Sequence, residues 1–76
     1  MSMNIGDTVI FDKSFLEIFI EETKVTDELR QYQEIVLAGV EQKGTVKDFM
    51  GNMATIIYPD GWEVPVPIKY LVKSAH

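Results

Sequence analysis

Two turn signals, Met50-Gly51-Asn52 and Pro59-Asp60-Gly61, cut the C-terminal half of this chain into runs that fit only short β-strands. At the second turn proline presets φ, aspartate bonds its own backbone and glycine accepts a positive φ, so the chain reverses there. Around the turns lie Lys43–Phe49, Met53–Tyr58 and Trp62–Val66, all rich in β-branched and aromatic residues. The first two predict a hairpin, and the third returns beside it. Pro65 lacks an amide proton, which puts that third strand at an edge or bulge. Pro67-Ile68-Lys69-Tyr70-Leu71 suits one helical turn opened by proline, and Val72-Lys73-Ser74 suits a closing strand.

The N-terminal half has a different period. A Gly6-Asp7 turn signal precedes a first strand at Thr8–Phe11. Ser14 and Glu17 have the spacing of a capping box, which predicts a helix from Phe15. Its first turns are crowded with Phe15, Leu16, Ile18, Phe19 and Ile20, and that run is equally β-prone, so helix and strand both stand. Thr26 caps a second helix from Asp27 to about Leu37, with Asp27 and Glu28 at its positive end. Leu29, Tyr32, Val36 and Val40 recur at steps of three and four with Ile35 alongside, and Gly39 suits a left-handed C-terminus. Only Val25 separates the two pieces from a single longer helix, since no proline or glycine interrupts them.

With 76 residues, no cysteine and one histidine, His76, the chain has neither a disulfide nor the ligands of a usual zinc cage. A single domain spanning 1–76 of this size hides only about 60% of its unfolded surface, so it depends on a well-packed core or a partner. Twelve acidic against seven basic residues give a net charge of −5, which repels nucleic acid. The excess sits in the middle: Asp12 to Lys43 holds eight acids and four bases, while three of each follow. No apolar run approaches the roughly 20 residues of a membrane span, and Met1-Ser2-Met3-Asn4 lacks the features of a secretory signal. The expectation is a soluble, cytoplasmic protein.

Catalysis is not expected, because Ser2, Ser14 and Ser74 have no motif around them and the lone imidazole is terminal. Glu21-Glu22 and Asp27-Glu28 are adjacent acids that point apart on a helix, and they lack the glycine-containing loop of a calcium site. Neither a cofactor nor a metal is assigned. The informative feature is Phe15, Leu16, Ile18, Phe19 and Ile20, which wrap most of the way round a helix and predict exposed apolar surface. Burying it points to a homodimer or a protein complex, with Glu21, Glu22, Asp27, Glu28 and Glu34 as a rim that steers a basic surface. The competing reading sends this segment inward. Phe49, Tyr58, Trp62 and Tyr70 suit either an aromatic groove for a peptide or cation, or ordinary core packing.

Five short strands with a helical turn before the last match the order of a small SH3-like β-barrel. Gly6–Phe11, Gly39, Lys43-Gly44-Thr45-Val46, Ala54–Tyr58, Asp60-Gly61-Trp62-Glu63-Val64 and Val66-Pro67 to Leu71 together resemble the KOW and Tudor-like barrels of bacteria. The resemblance covers Gly6–Phe11 and Gly39–Ser74. It implies a mainly β, five-stranded barrel with residues 12–38 as an acidic helical insertion holding one or two helices. Functionally it implies ribosome-, RNA-, peptide- or protein-binding. An RNA-associated role would use Lys43, Lys47, Lys69 and Lys73, whereas the acidic insertion suits an inhibitor that mimics nucleic acid, as in small acidic phage proteins. The long insertion and the few bases depart from the KOW pattern, and the reading that follows is a non-catalytic protein-binding or oligomerising module.

Overall fold

The computed structural model describes residues 3–24 and 26–74. Along the chain come β1 (Thr8–Phe11), a 3-10 turn (Lys13–Phe15), α1 (Leu16–Thr23) and α2 (Asp27–Ala38). After these come β2 (Gly44–Met50), β3 (Met53–Ile57), β4 (Glu63–Pro67), a second 3-10 turn (Ile68–Tyr70) and β5 (Leu71–Lys73). The strands form one antiparallel sheet in the order β4-β3-β2-β1-β5.

Two features of the sequence-based fold class need correction. With the two 3-10 turns counted as helical, helical residues slightly outnumber strand residues, so the fold is mixed α/β rather than mainly β. The sheet is also not closed, because β4 and β5 remain its two edges. The physical reason lies at β4. Tyr58 N–H donates to Trp62 O at 3.0 Å, so by antiparallel alternation Glu63, Pro65 and Pro67 turn their backbone groups away from β3. Both prolines lack the N–H that closure needs, and the Tyr32 hydroxyl already donates to the Pro65 carbonyl.

The helices form because their inward positions repeat at helical spacing. Phe19 and Thr23, one turn apart, are the buried residues of α1, which resolves the helix-or-strand ambiguity of this run. The Ser14–Glu17 capping box does not form. Asp12 caps instead, its Oδ1 accepting from the Ser14 amide at 3.0 Å and the Ser14 hydroxyl at 2.7 Å. This inserts a 3-10 turn before α1, so the α-helix starts at Leu16 rather than Phe15. Thr26 is extended, and its Oγ1 accepts from the Leu29 amide at 3.1 Å, so α2 starts anew. Val25, the junction residue named above, lies outside the described residues.

Gly39 is not left-handed, having φ −98°. Its role is space: a Cβ there would lie 2.7 Å from Tyr58 Cζ. Gly51 does supply a positive φ, +61°, in the two-residue loop between the paired Met50 and Met53.

The core is one cluster under the helices. Val9, Phe11, Val46, Ala54, Ile56, Tyr58, Val64 and Val66 come from the strands, Phe19 and Val36 from the helices, and Tyr70 and Leu71 from the last turn and strand. A β-bulge adjusts β2 to this core. Val46 pairs with Ile56 but Asp48 with Thr55, so β2 carries one extra residue. Strict alternation would send Phe49 to the opposite face from Val46. The extra residue returns Phe49 to the core side, opposite buried Ala54.

Candidate protein-binding surface

The five apolar residues singled out in the sequence separate in space. Phe19 is 1% exposed and belongs to the core, its ring 5.5 Å from Phe11 and 5.9 Å from both Tyr32 and Tyr70. Phe15 and Leu16 are half-buried against the same cluster, and Ile20 is half-buried as well. Only Ile18 is fully presented, at 51% exposure. The expected wrap-around patch is therefore corrected to one residue, because Phe15, Leu16 and Phe19 pack on the core and Ile20 is half-buried on the side of α1 that meets α2. A substitution at Phe19 consequently disturbs the fold as well as any surface.

Helical geometry locates Ile18. Gln33 Nε2 donates to Ile20 O at 3.1 Å and to Thr23 Oγ1 at 2.9 Å, so α2 packs on the Ile20–Thr23 side of α1. Thr23 Oγ1 in turn donates to Phe19 O at 2.7 Å. Ile18 lies about 100° from Phe19 on the flank away from α2. On α2, Ile35 lies about 100° round from buried Val36, on the Tyr32 side that reaches β4. Ile35 is 46% exposed, and Leu29, at the outer end of the inward stripe, is also exposed. Ile35 and Leu29 are surface residues, although Leu29 belongs to the apolar recurrence along α2 and Ile35 lies alongside it. The signal was present for Ile35, which falls off the Leu29-Tyr32-Val36-Val40 stripe.

The acidic rim divides into engaged and free members. Glu22 receives a hydrogen bond from the Tyr70 hydroxyl, and Lys69 Nζ is 3.7 Å from its other oxygen. Lys69 also stands 4.9 Å above the Tyr70 ring, so Glu22 ties α1 to the turn before β5. Glu21 pairs with Lys24 at 3.0 Å and Asp27 with Arg30 at 3.8 Å. Glu28 and Glu34 of the rim, and Glu17 outside it, are exposed and have no ion pair among the described residues. Glu17 and Glu34 face away from the sheet, and Glu28 lies on the Ile35 flank. The hairpin thus presents an acidic crest of Glu17 and Glu34, with Glu28 beside Ile35 on one flank.

The lysines named for nucleic acid are mostly occupied. Lys47 binds Glu63 at 2.9 Å, Lys69 is beside Glu22, and Lys73 Nζ is 3.6 Å from Asp7. Lys43 alone of the four has no ion pair among the described residues.

The four aromatics do not converge. Trp62 stacks on Tyr58 with centroids 4.6 Å apart, whereas Tyr70 is buried among Phe11, Phe15 and Phe19, and Phe49 packs on the core. Burial, with Tyr58 nearby, pushes the Tyr32 hydroxyl up to about 12, and burial raises that of Tyr58. The Ser14 hydroxyl and then its amide hold the Asp12 carboxyl below its ordinary value.

Among the described residues no three His, Cys, Asp or Glu side chains gather as a metal site, and no helix is long and apolar enough to cross a membrane. Ser14 lies exposed at the first 3-10 turn and Ser74 follows β5, while Ser2 and His76 lie outside the described residues. Comparison with family models, curated proteins and solved structures gave no match.

Proposed function

We propose that this chain is a non-catalytic protein-binding module that offers the outer side of the α1–α2 hairpin to a partner with a basic surface. The observation that carries the reading is that Glu17, Glu28 and Glu34 are exposed with no ion pair among the described residues on a hairpin that also exposes Ile18 and Ile35. An interface of ordinary size, about 800 Å² per partner, spans both flanks of such a hairpin. Ile18 and Ile35 supply apolar anchors, and the acids steer association and set its salt dependence.

A second copy fits this surface poorly, because twofold contact would bring two acidic crests together. The strand order and the 3-10 turn before β5 support reading the sheet as an unclosed relative of SH3-like barrels, a type that hosts binding functions of many kinds. Nucleic-acid binding is disfavoured by the net charge of −5, with twelve acids against seven bases. Mimicry of nucleic acid is a narrower form of the same reading, in which the basic partner is itself a nucleic-acid-binding protein.

The test starts with light scattering over a concentration series, followed by affinity capture from the source lysate. The bait is the wild type or the doubly substituted Ile18→Ser/Ile35→Ser protein. The expected result is a monomer that retains a basic protein at low salt and loses it in the double variant. Equal retention by the two baits refutes the surface. A dimer dissolved by the same substitutions assigns it to self-association, and competition of the captured partner by DNA or RNA identifies mimicry.

A further inference from the structure

The two edges of the sheet are not equivalent. At β4 the outward backbone groups belong to Glu63, Pro65 and Pro67; two of these residues lack an N–H, and Tyr32 occupies the Pro65 carbonyl. Such devices keep a strand edge from pairing with another chain. At β5 the Asp12 amide donates to Tyr70 O at 2.7 Å and the Ser74 amide to Thr8 O at 2.8 Å. The alternation between those two bonds turns Val72 toward Ile10 of β1 and turns Leu71 and Lys73 outward. The Leu71 amide is used by Ile68 O. The Leu71 carbonyl and both backbone groups of Lys73 therefore form an acceptor–donor–acceptor row with no partner among the described residues.

We propose that this row is a docking site for an extended segment of another polypeptide, one that carries adjacent apolar and acidic residues. The proposal is independent of the helical-hairpin surface. A strand laid along β5 in either direction completes the same three hydrogen bonds. Its side chain beside Val72 falls on the outer face of the sheet, where Val72 is 42% exposed and opposite Ile10, so an apolar residue fits. The next side chain falls beside Lys73. The segment Ile68–Lys73 carries two lysines and no acid in a protein of net charge −5; Lys69 lies over the Tyr70 ring with Glu22 at 3.7 Å, and Lys73 has a long, part-exposed pair with Asp7 at 3.6 Å. Those pairs contribute little and yield readily to a carboxylate on the incoming strand. A second copy is the weaker occupant, since two β5 strands of three residues bury far less than the roughly 1,200 Å² of a stable interface.

The experiment is amide NMR and hydrogen exchange on the full chain with two capped hexapeptide probes, one alternating valine with aspartate and one alternating valine with lysine. The aspartate peptide is expected to shift the Lys73 amide, slow its exchange and bind about threefold or more tighter than the lysine peptide. Lys73→Pro copies onto β5 the device present on β4 and spares the β1 ladder, since that amide faces outward. It should weaken binding about fivefold or more. If Lys73→Pro does not fold, Lys73→Glu serves: it keeps the N–H and should reverse the preference between the peptides. Perturbation centred elsewhere, equal binding of both peptides, or binding unchanged by a folded Lys73→Pro overturns the proposal. A concentration-dependent dimer that Lys73→Pro dissolves assigns the edge to a second copy and overturns it as well.

Discussion

Phe19 and Ile18 are neighbours in sequence with opposite fates, and substituting each measures how α1 is docked. Phe19 is 1% exposed and meets Phe11, Tyr32 and Tyr70, three rings from three different elements. Truncating such a residue removes its transfer free energy and leaves a cavity that the aromatic cluster fills only in part, at a cost of about 3–5 kcal/mol. A 76-residue protein has total stability of about 4–11 kcal/mol, so Phe19→Ala removes roughly a quarter of it or more. Ile18→Ser changes a 51% exposed side chain and should alter stability by about 0.5 kcal/mol or less. Urea unfolding followed by tryptophan fluorescence separates the two, since Trp62 stacks on core residue Tyr58. With a slope of about 1–1.5 kcal/mol/M for a chain this small, Phe19→Ala should lower the midpoint by roughly 2–5 M and Ile18→Ser by less than about 0.5 M. A Phe19→Ala loss below about 1 kcal/mol would refute the docking of α1 on the aromatic core.

Four further outcomes follow from particular contacts. Gly44→Ala puts a Cβ 2.3 Å from Ile56 Cγ2 and should destabilise by about 1–3 kcal/mol in thermal or urea unfolding. Gly51→Ala meets no atom but inherits φ +61°, so it should cost about 1–2 kcal/mol, with Gly51→Asn costing less. Thr26→Ala removes the cap on Leu29 and should cost about 1 kcal/mol, visible as faster amide exchange in the first turn of α2. Tyr32, pushed up to about 12 in the folded protein, stays protonated there while the unfolded chain ionises. Its contribution to stability is therefore full below about pH 10 and is lost as pH rises from about 10 to 12. Near-ultraviolet titration of wild type against Tyr32→Phe checks this, and a normal-range transition assigned to Tyr32 would contradict its burial.

The turn chemistry of Met50-Gly51-Asn52 and Pro59-Asp60-Gly61, the cap at Thr26 and the edge position of Pro65 were legible because each depends on neighbouring residues and on backbone stereochemistry. β1 and the order of the later elements followed from the same local signals. The later bounds moved by a residue, with β4 ending at Pro67 and β5 starting at Leu71. The capping residue of the first helical segment was misplaced because Asp12, Ser14 and Glu17 all compete for the same few amides, and that competition is decided by where β1 releases the chain. The same holds for Gly39, whose constraint is the ring of Tyr58 rather than its own φ.

The sequence by itself determined where the chain turns, which segments repeat at strand or helix spacing, and that its middle is acidic, since these properties sit in adjacent residues. Only the tertiary structure decided that Phe19 is core while Ile18 and Ile35 are surface. A run apolar on all sides leaves its inward face undefined until the Phe11–Tyr70 cluster and α2 select it. Tertiary structure also decided that β2 bulges to bring Phe49 inward and that the sheet stays open, with a β4 edge stopped by Pro65, Pro67 and Tyr32 and a β5 edge unpaired among the described residues. It paired Lys69 with Glu22 and Lys73 with Asp7, which are far apart in the chain. The candidate surfaces depend on these long-range choices, because exposure and free hydrogen-bonding groups are what remains after every other element has packed.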